Sequence, residues 1–245
     1  MSQGFMADSS TKITGKKTYD GYECSRAIVT CQLCYTGYMN EAAQKLEHLE
    51  WVGGHPTLDF VNTVNRWSGS EPGAEYLHSY EELLRWHRIA GLAGPDGTRA
   101  LSEGTSSARA AALAEAMEFR AALHAIFRAV ANSRPLPQAA LDHLNGVIEK
   151  TAAWRRLVAK GREISCGWDF TGAPPEAILG PVAWQAVELL EHGPLERIKE
   201  CPVGEGCGWL FLDVSKNRSR TWCSMKTCGN SAKVKRFRAR KERSA

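Results

Sequence analysis

Of the 245 residues of the chain, 43% are hydrophobic and 24% are charged, which is the composition of an ordinary soluble globular protein. The length suits one large domain, or a medium domain and a small one. No stretch reaches the roughly 18 consecutive apolar residues of a membrane helix. The first residues also lack the basic region followed by an apolar core that is typical of a secretory signal. We therefore expect a cytoplasmic protein, whose eight cysteines are metal ligands or free thiols rather than disulfides.

Charge is divided unevenly along the chain. Residues 213–245 contain eleven Lys or Arg against Asp213 and Glu242, a net charge of +9. The 212 residues before them therefore carry −5, which gives the +4 of the whole chain. A cationic end on a mildly acidic body indicates a polyanionic partner for that end alone.

Residues 1–44 have no helical or strand period and predict a disordered or weakly ordered leader. Cys31 and Cys34 form a CxxC pair there, which by spacing alone is half of a zinc site or a redox pair. The βαβ pattern expected around a redox pair is absent from the sequence. An alternative interpretation of this segment is that translation starts at Met39, in which case residues 1–38 would not belong to the protein.

Residues 48–195 predict a mostly helical domain. Apolar residues at helical spacing in 58–64 predict a short helix with one face toward a core. Three polar side chains lie beside it: His55, Asp59 and Asn62. They either cap the helix and bridge to backbone, or line a small-ligand pocket.

Further helices are predicted at 79–91, with Ser79 as N-cap, and at 106–132 and 138–149, whereas 65–77 predicts a loop and 94–97 a turn. Residues 153–171 predict a β-hairpin that turns at Gly161 and buries Cys166. A last helix opens at 174–176 and runs to about His192, with a kink or division at Pro181.

Catalytic patterns are absent from this domain. The sequence has no glycine-rich phosphate loop, no nucleophile elbow and no His–Glu–His pattern. His124 and His143 have no second ligand at helical spacing, so we expect packed structural histidines. We do not expect an enzyme; the enzyme alternative depends on the pocket at His55, Asp59 and Asn62.

Residues 196–245 contain two cysteine pairs, Cys201 with Cys207 and Cys223 with Cys228. The pairs enclose five and four residues and are fifteen residues apart. Two such pairs on tight turns are typical of a closed, structural zinc site; the alternative is four unlinked thiols. Residues 209–212 predict a strand of this module, and 220–222 its return strand.

A helix is predicted at 231–241, with Asn230 as its N-cap and with Val234 and Phe237 packed against the zinc module. Five of its basic residues are expected to be exposed and to bind nucleic acid: Lys233, Lys235, Arg236, Arg238 and Arg240. On the preceding turn, Arg218 and Arg220 are expected to add phosphate or base contacts. Glu242 is the only acidic residue in this run. An ordinary solvent-exposed helix face mixes acidic and basic residues, so it explains this run of basic residues poorly.

Several motifs resemble a known pair of domains. The stretches Cys207-Gly-Trp-Leu-Phe-Leu-Asp213, Asn217-Arg-Ser-Arg-Thr-Trp-Cys223 and Cys228-Gly-Asn230 resemble the CGNR zinc finger. The stretch Gly54-His-Pro-Thr-Leu-Asp-Phe-Val-Asn-Thr63 is similar to the ABATE domain that precedes this finger in bacterial proteins. The resemblance covers roughly residues 48–241. It implies zinc bound by the four cysteines and a stress-related transcription regulator.

One residue departs from the family pattern. The Cys-Gly-Asn-Arg motif ends here in Ser231, so any contact made by that arginine is missing. Lys233 and Lys235 supply charge nearby but not a bidentate guanidinium.

The sequence thus predicts an α+β protein, with a mainly helical N-terminal domain containing a small β-hairpin and a C-terminal four-cysteine zinc finger ending in a basic helix. The leading hypothesis is a DNA-binding transcription regulator whose N-terminal domain senses an effector or forms a homodimer. The alternative is a zinc-stabilised interaction module that binds RNA or an acidic protein.

Overall fold

The computed structural model describes residues 17–19, 22–24, 46–47, 49–68, 71–202 and 207–243. The chain divides into two compact units, Met1–Gly37 and Tyr38–Ala245. The described part of the first unit is an antiparallel hairpin of β1 (Lys17–Tyr19) and β2 (Tyr22–Cys24), which was not predicted from the sequence. The CxxC pair and most of the predicted leader lie outside the described residues.

The second unit is rich in helices. Its helices are α1 (Pro56–Val61), α2 (Tyr80–Ile89), α3 (Pro95–Ser102), α4 (Ser106–Ala131), α5 (Gln138–Thr151), α6 (Leu179–His192) and α7 (Asn230–Arg243). Its strands are β3 (Trp67–Ser68), β4 (Glu71–Pro72), β5 (Arg155–Lys160), β6 (Glu163–Trp168), β7 (Ile198–Glu200) and β8 (Leu210–Leu212). They pair in sequence order as separate two-stranded antiparallel hairpins. The predicted α+β fold class is confirmed.

Local capping explains where the main helices begin. The Ser79 hydroxyl accepts a hydrogen bond from the backbone N–H of Glu82 (3.2 Å), and two acidic residues in the first turn of α2 favour its N-terminal dipole. The Thr105 hydroxyl accepts from the N–H of Ala108 (3.2 Å) in the same way at the start of α4. The helices predicted at 79–91, 106–132 and 138–149 are present, within two residues of the predicted ends.

Helix α4 is the centre of the second unit. It has 26 residues and contacts α1, α2, α5, β7 and β8. Its buried side chains include Phe119, Leu123, Ile126 and Phe127, which are spaced as one helical face. Because β7 and β8 pack on this helix, the segment that carries the first two cysteines belongs to the main core.

Two proline-containing segments differ from the prediction. The turn predicted at 94–97 is the start of α3, because Pro95 occupies the first helical position, where its missing N–H is no loss. The segment Pro175–Ile178 is a 3₁₀ turn that passes into α6 at Leu179. The predicted division thus lies between Ile178 and Leu179 and not at Pro181. Pro181 lies in the first turn of α6, where the first four N–H groups of a helix have no intrahelical partner.

The hairpin β5–β6 is present as predicted, with a register from Arg155 opposite Trp168 to Lys160 opposite Glu163. Gly161 turns it with a φ of 64°. The prediction that Cys166 is buried is wrong: Cys166 is exposed, as are Leu157 (77%) and Ile164 (74%). This follows because only the end of the hairpin nearest the helices is partly buried.

The strand pairing of the C-terminal module also differs from the prediction. β8 pairs with β7, with Ile198 opposite Leu212 and Glu200 opposite Leu210, and not with residues 220–222. The N–H of Arg220 instead donates to the buried Asp213 carboxylate (3.1 Å). In the part of the chain that the structure describes, no helix is long and apolar enough to cross a membrane.

Candidate metal centre and nucleic-acid interface

Four cysteine thiols converge at the end of the β7–β8 hairpin. The Sγ atoms of Cys201, Cys207, Cys223 and Cys228 all lie within 4.8 Å of one another, and they form the only cluster of metal-ligating side chains found among the described residues. The distances are 3.6 Å between Cys207 and Cys223 and 3.5 Å between Cys223 and Cys228. These distances are far longer than the roughly 2.05 Å of a disulfide.

The cluster fits a zinc ion. Four thiolates at the usual Zn–S distance of about 2.3 Å form a tetrahedron with edges of about 3.8 Å, close to the observed separations. The neighbouring thiols of Cys201 and Cys207, followed by burial, raise the pKa of Cys223, and a bound dication replaces such protons. Two of the four thiols belong to buried residues, as is typical of a closed structural site. Bound zinc would cross-link the two halves of the module.

Backbone hydrogen bonds between the end of β7 and the start of β8 hold the first cysteine pair. The N–H of Cys201 donates to the Trp209 carbonyl (2.9 Å), and the N–H of Gly208 donates to the Cys201 carbonyl (3.3 Å). Gly208 has a φ of 64°, and a Cβ atom there would lie 2.7 Å from the Trp67 backbone oxygen. Only glycine therefore fits both the conformation and the contact with the body.

The second pair lies on a turn that runs directly into α7. Met225–Gly229 forms a π-helical turn that carries Cys228, and the N–H of Cys223 points at the Cys201 sulfur (3.5 Å). The prediction that Asn230 is an N-cap is wrong, because Asn230 is already helical and its side-chain amide donates to the Lys226 carbonyl (3.1 Å). The metal centre thus fixes the point from which α7 departs.

Asn62 joins the β7–β8 hairpin to the mainly helical part of the second unit that precedes it, which we call the body. Its side-chain amide donates to the Leu210 carbonyl (2.8 Å) and its carbonyl accepts from the Leu210 N–H (3.0 Å). The Trp209 indole donates to the Val64 carbonyl (2.7 Å), and the N–H of Leu212 donates to the Gly53 carbonyl (2.8 Å). These bonds fix the hairpin to the loop and helix at 53–64.

The other two residues proposed for a ligand pocket have local roles. His55 is the N-cap of α1: its Nδ1 accepts from the N–H of Thr57 (3.3 Å), and burial lowers its pKa to about 4. The Asp59 carboxylate accepts from the N–H of Gly53 (2.8 Å). All three side chains thus have the capping or bridging contacts of the first alternative. A role in binding a small ligand stays a prediction.

His124 contacts the backbone next to Cys207. Its ring stacks on Trp67 at 3.8 Å between centroids, and its Nε2 lies 3.4 Å from the Gly208 carbonyl. Burial lowers its pKa to about 4, so the ring is neutral at pH 7. The prediction of a packed histidine is confirmed, but nothing local in the sequence indicates that His124 contacts Trp67 and Gly208.

A buried carboxylate organises the chain between the two cysteine pairs. Asp213 is fully buried and accepts from the Lys199 ammonium (2.6 Å) and from the N–H groups of Ser215 and Arg220. Burial alone would raise the pKa of Asp213, but the bonds from Lys199 and Ser215 outweigh it and hold the pKa well below its usual range. Asp213 is therefore a charged internal anchor of this loop.

Arg220 is bound on several sides within the protein. Its guanidinium donates to the carbonyls of four residues and lies over the Phe211 ring at 4.4 Å. The four carbonyls belong to Val52, Leu212, Trp222 and Cys223. These bonds use four of its five N–H donors, so Arg220 stabilises the link between the body and the second cysteine pair. Arg218 differs: it is largely exposed and pairs with Glu196 (3.2 Å).

Helix α7 is cationic and buries none of its residues. Its seven basic residues are Lys233, Lys235, Arg236, Arg238, Arg240, Lys241 and Arg243, against the single acid Glu242. The prediction that Val234 and Phe237 pack against the zinc module is wrong, because they are 48% and 69% exposed. Neither side chain is therefore covered by another described part of the chain to the extent that the prediction required.

Two family comparisons match this arrangement in the same order along the chain. Residues 54–193 match the ABATE family, described as "Putative stress-induced transcription regulator". Residues 197–241 match the CGNR zinc finger family. No curated protein matches the chain. The first match spans more than half of the 245 residues, and the four clustered thiols suit the metal that the second implies. The chain therefore belongs to the ABATE family and carries a zinc-binding CGNR zinc finger at its C-terminal end.

Proposed function

We propose that this protein is a DNA-binding transcription regulator, of the stress-induced class that the family description names, and that it binds duplex DNA through α7. The observation that carries the proposal is the exposed helix with seven Lys or Arg and one Glu. A helix of this charge repels itself in water, and phosphate groups relieve that repulsion.

Zinc has a structural role in this proposal. The ion would tie Cys228, on the turn before α7, to Cys201, which follows β7 in the core. Four thiolates leave no open coordination position for water or substrate. The metal would thereby fix the direction of α7 relative to the body, as a recognition helix requires.

The body serves as the sensor or dimerisation unit in this proposal, and one surface favours dimerisation. Strand β6 has Glu163 as its only charged residue, whereas β5 has three, at Arg155, Arg156 and Lys160. Unpaired strand edges without Lys or Arg readily accept another strand. Two copies joined along β6 would oppose no like charges in the centre of the strand.

The dimer is tested by light scattering of the zinc-loaded chain after size-exclusion chromatography. Ile164→Lys is expected to convert dimers into monomers, because a lysine in the joined strand opposes edge-to-edge pairing. Leu136→Lys, at another exposed apolar residue, is the matched control and should leave the mass unchanged. A wild-type chain that is monomeric at all concentrations would exclude this interface.

Nucleic-acid class is tested by competition. A labelled duplex bound to the zinc-loaded chain is challenged with unlabelled duplex DNA, single-stranded RNA or an acidic peptide. Unlabelled duplex DNA is expected to compete best. The Arg236→Glu variant is expected to lose duplex binding, whereas Arg134→Glu, on an exposed loop of the body, should bind duplex DNA as the wild-type chain does. Preferential competition by RNA or by the acidic peptide would support the interaction-module alternative instead.

A further inference from the structure

Phe237 is an exposed aromatic ring inside a cationic surface. Residues three and four positions apart are neighbours on a helix, which places Lys233, Val234, Arg240 and Lys241 around the ring. All of these side chains are exposed. Phe237 is 69% exposed and α7 has no buried residue, so the ring contributes little to the stability of the fold.

This surface selects for a partner that combines negative charge with apolar area. An anionic membrane is a poor match, because helices that lie in the interface need a broad apolar face, whereas α7 offers only Val234 and Phe237 as large apolar residues. A nucleic-acid duplex provides two rows of phosphates with base edges between them. The major groove, about 12 Å wide, admits one α-helix.

We propose that Phe237, with Val234 beside it, contacts base edges in the major groove and favours thymine through its methyl group. Lys233, Arg240 and Lys241 lie on either side of the ring, where the phosphates of the groove walls would be. Thymine is the base that presents an apolar group in the major groove. The inference rests on the proposed binding of duplex DNA and adds the residues that read sequence.

The test removes only the methyl groups from the DNA. Duplex pools of one random sequence set are prepared with thymine or with uracil in both strands, and their affinities for the zinc-loaded full chain are measured. The wild-type chain is expected to bind the thymine pool more tightly, by about fourfold for each methyl that is contacted. Phe237→Ala should bind both pools equally, with the salt dependence of its affinity unchanged.

Two controls separate the inference from a loss of folding. Phe237→Ala should unfold at the same temperature as the wild-type chain, because α7 buries none of its residues. Val214→Ala, at another exposed apolar residue outside α7, should keep the preference for thymine.

The outcomes distinguish the two proposals. A wild-type chain that binds both pools equally, or a Phe237→Ala variant that keeps the preference, overturns the reading of thymine while leaving duplex binding in place. A wild-type chain that binds neither pool overturns both proposals. A wild-type chain that prefers single-stranded DNA or RNA would make Phe237 a platform for stacked bases and would also overturn the inference.

Discussion

Asn62 offers the sharpest test of how the zinc-bearing hairpin is attached to the body. Its amide pairs with both the N–H and the carbonyl of Leu210, at 3.0 and 2.8 Å, and both residues are buried. Asn62→Ala leaves these two backbone groups without the partner they have in the native chain. Asn62→Asp keeps the acceptor but removes the donor to the Leu210 carbonyl and adds a buried charge.

The expected cost follows from the burial of these groups. A buried donor or acceptor that loses its hydrogen bond costs about 1–3 kcal/mol, so the two groups together cost about 2–6 kcal/mol. That is a large part of the roughly 5–15 kcal/mol that stabilises a native domain. Asn62→Asp should cost at least as much stability as Asn62→Ala, because burying an added negative charge costs more free energy than losing a neutral side chain's hydrogen bonds.

The free energy of unfolding is measured by urea titration of the zinc-loaded chain, and zinc release is followed with a chromophoric chelator. Both variants are expected to unfold at lower urea and to release zinc faster than the wild-type chain. Asn145→Ala, on the exposed side of α5, is the matched control, with an expected change within about 0.5 kcal/mol. A loss below about 1 kcal/mol for Asn62→Ala, with unchanged zinc release, would refute the view that this amide joins the hairpin to the body.

Three further predictions concern the same assembly. Arg220→Lys should lower the melting temperature, because one ammonium cannot reach the four carbonyls that the guanidinium contacts; an unchanged melting temperature with weaker DNA binding would instead make Arg220 a DNA contact. Burial lowers the pKa of His87 to about 4, so this residue stabilises the fold above pH 6.5 and loses that contribution as the pH falls toward 4, by about 2 kcal/mol at pH 5. Urea titrations at pH 7.5 and pH 5 should therefore show a smaller loss in His87→Gln than in the wild-type chain, with the exposed His192→Gln as control; equal losses in all three would contradict the prediction. Removing zinc with a chelator should lower the melting temperature and abolish duplex binding, both restored by added Zn²⁺; duplex binding that survives complete removal would separate α7 from the metal.

Sequence patterns predicted the features whose causes are local. The cap at Ser79 and the turn at Gly161 depend on residues within a few positions, and the structure has a helix start and a turn there. The two cysteine pairs also predict their own cluster, because four soft ligands in two close pairs suit few other purposes.

Contacts between residues far apart in the sequence could not be predicted from such patterns. The bond between Asn62 and Leu210 spans 148 positions, and no periodicity reports it. The Arg220 guanidinium donates to backbone carbonyls as far away as Val52, a structural role that its place in a basic run does not indicate. That Arg220 also contacts nucleic acid stays a prediction. Spacing alone gave Val234 and Phe237 one face of a helix, but only the fold determines that both side chains stay exposed.

The measurement that tests duplex binding by α7 most directly is the salt dependence of the affinity of the zinc-loaded chain for duplex DNA. Each phosphate contacted by Lys or Arg contributes about −0.9 to the slope of log K against log salt concentration, so a helix with seven such residues should give a slope between about −3 and −6. Arg236→Ala and Arg238→Ala should each reduce its magnitude by about 1, whereas Arg134→Ala, an exposed arginine on the body, should not. Affinity and slope that stay unchanged in both α7 variants would contradict the assignment of this helix as the DNA-binding surface.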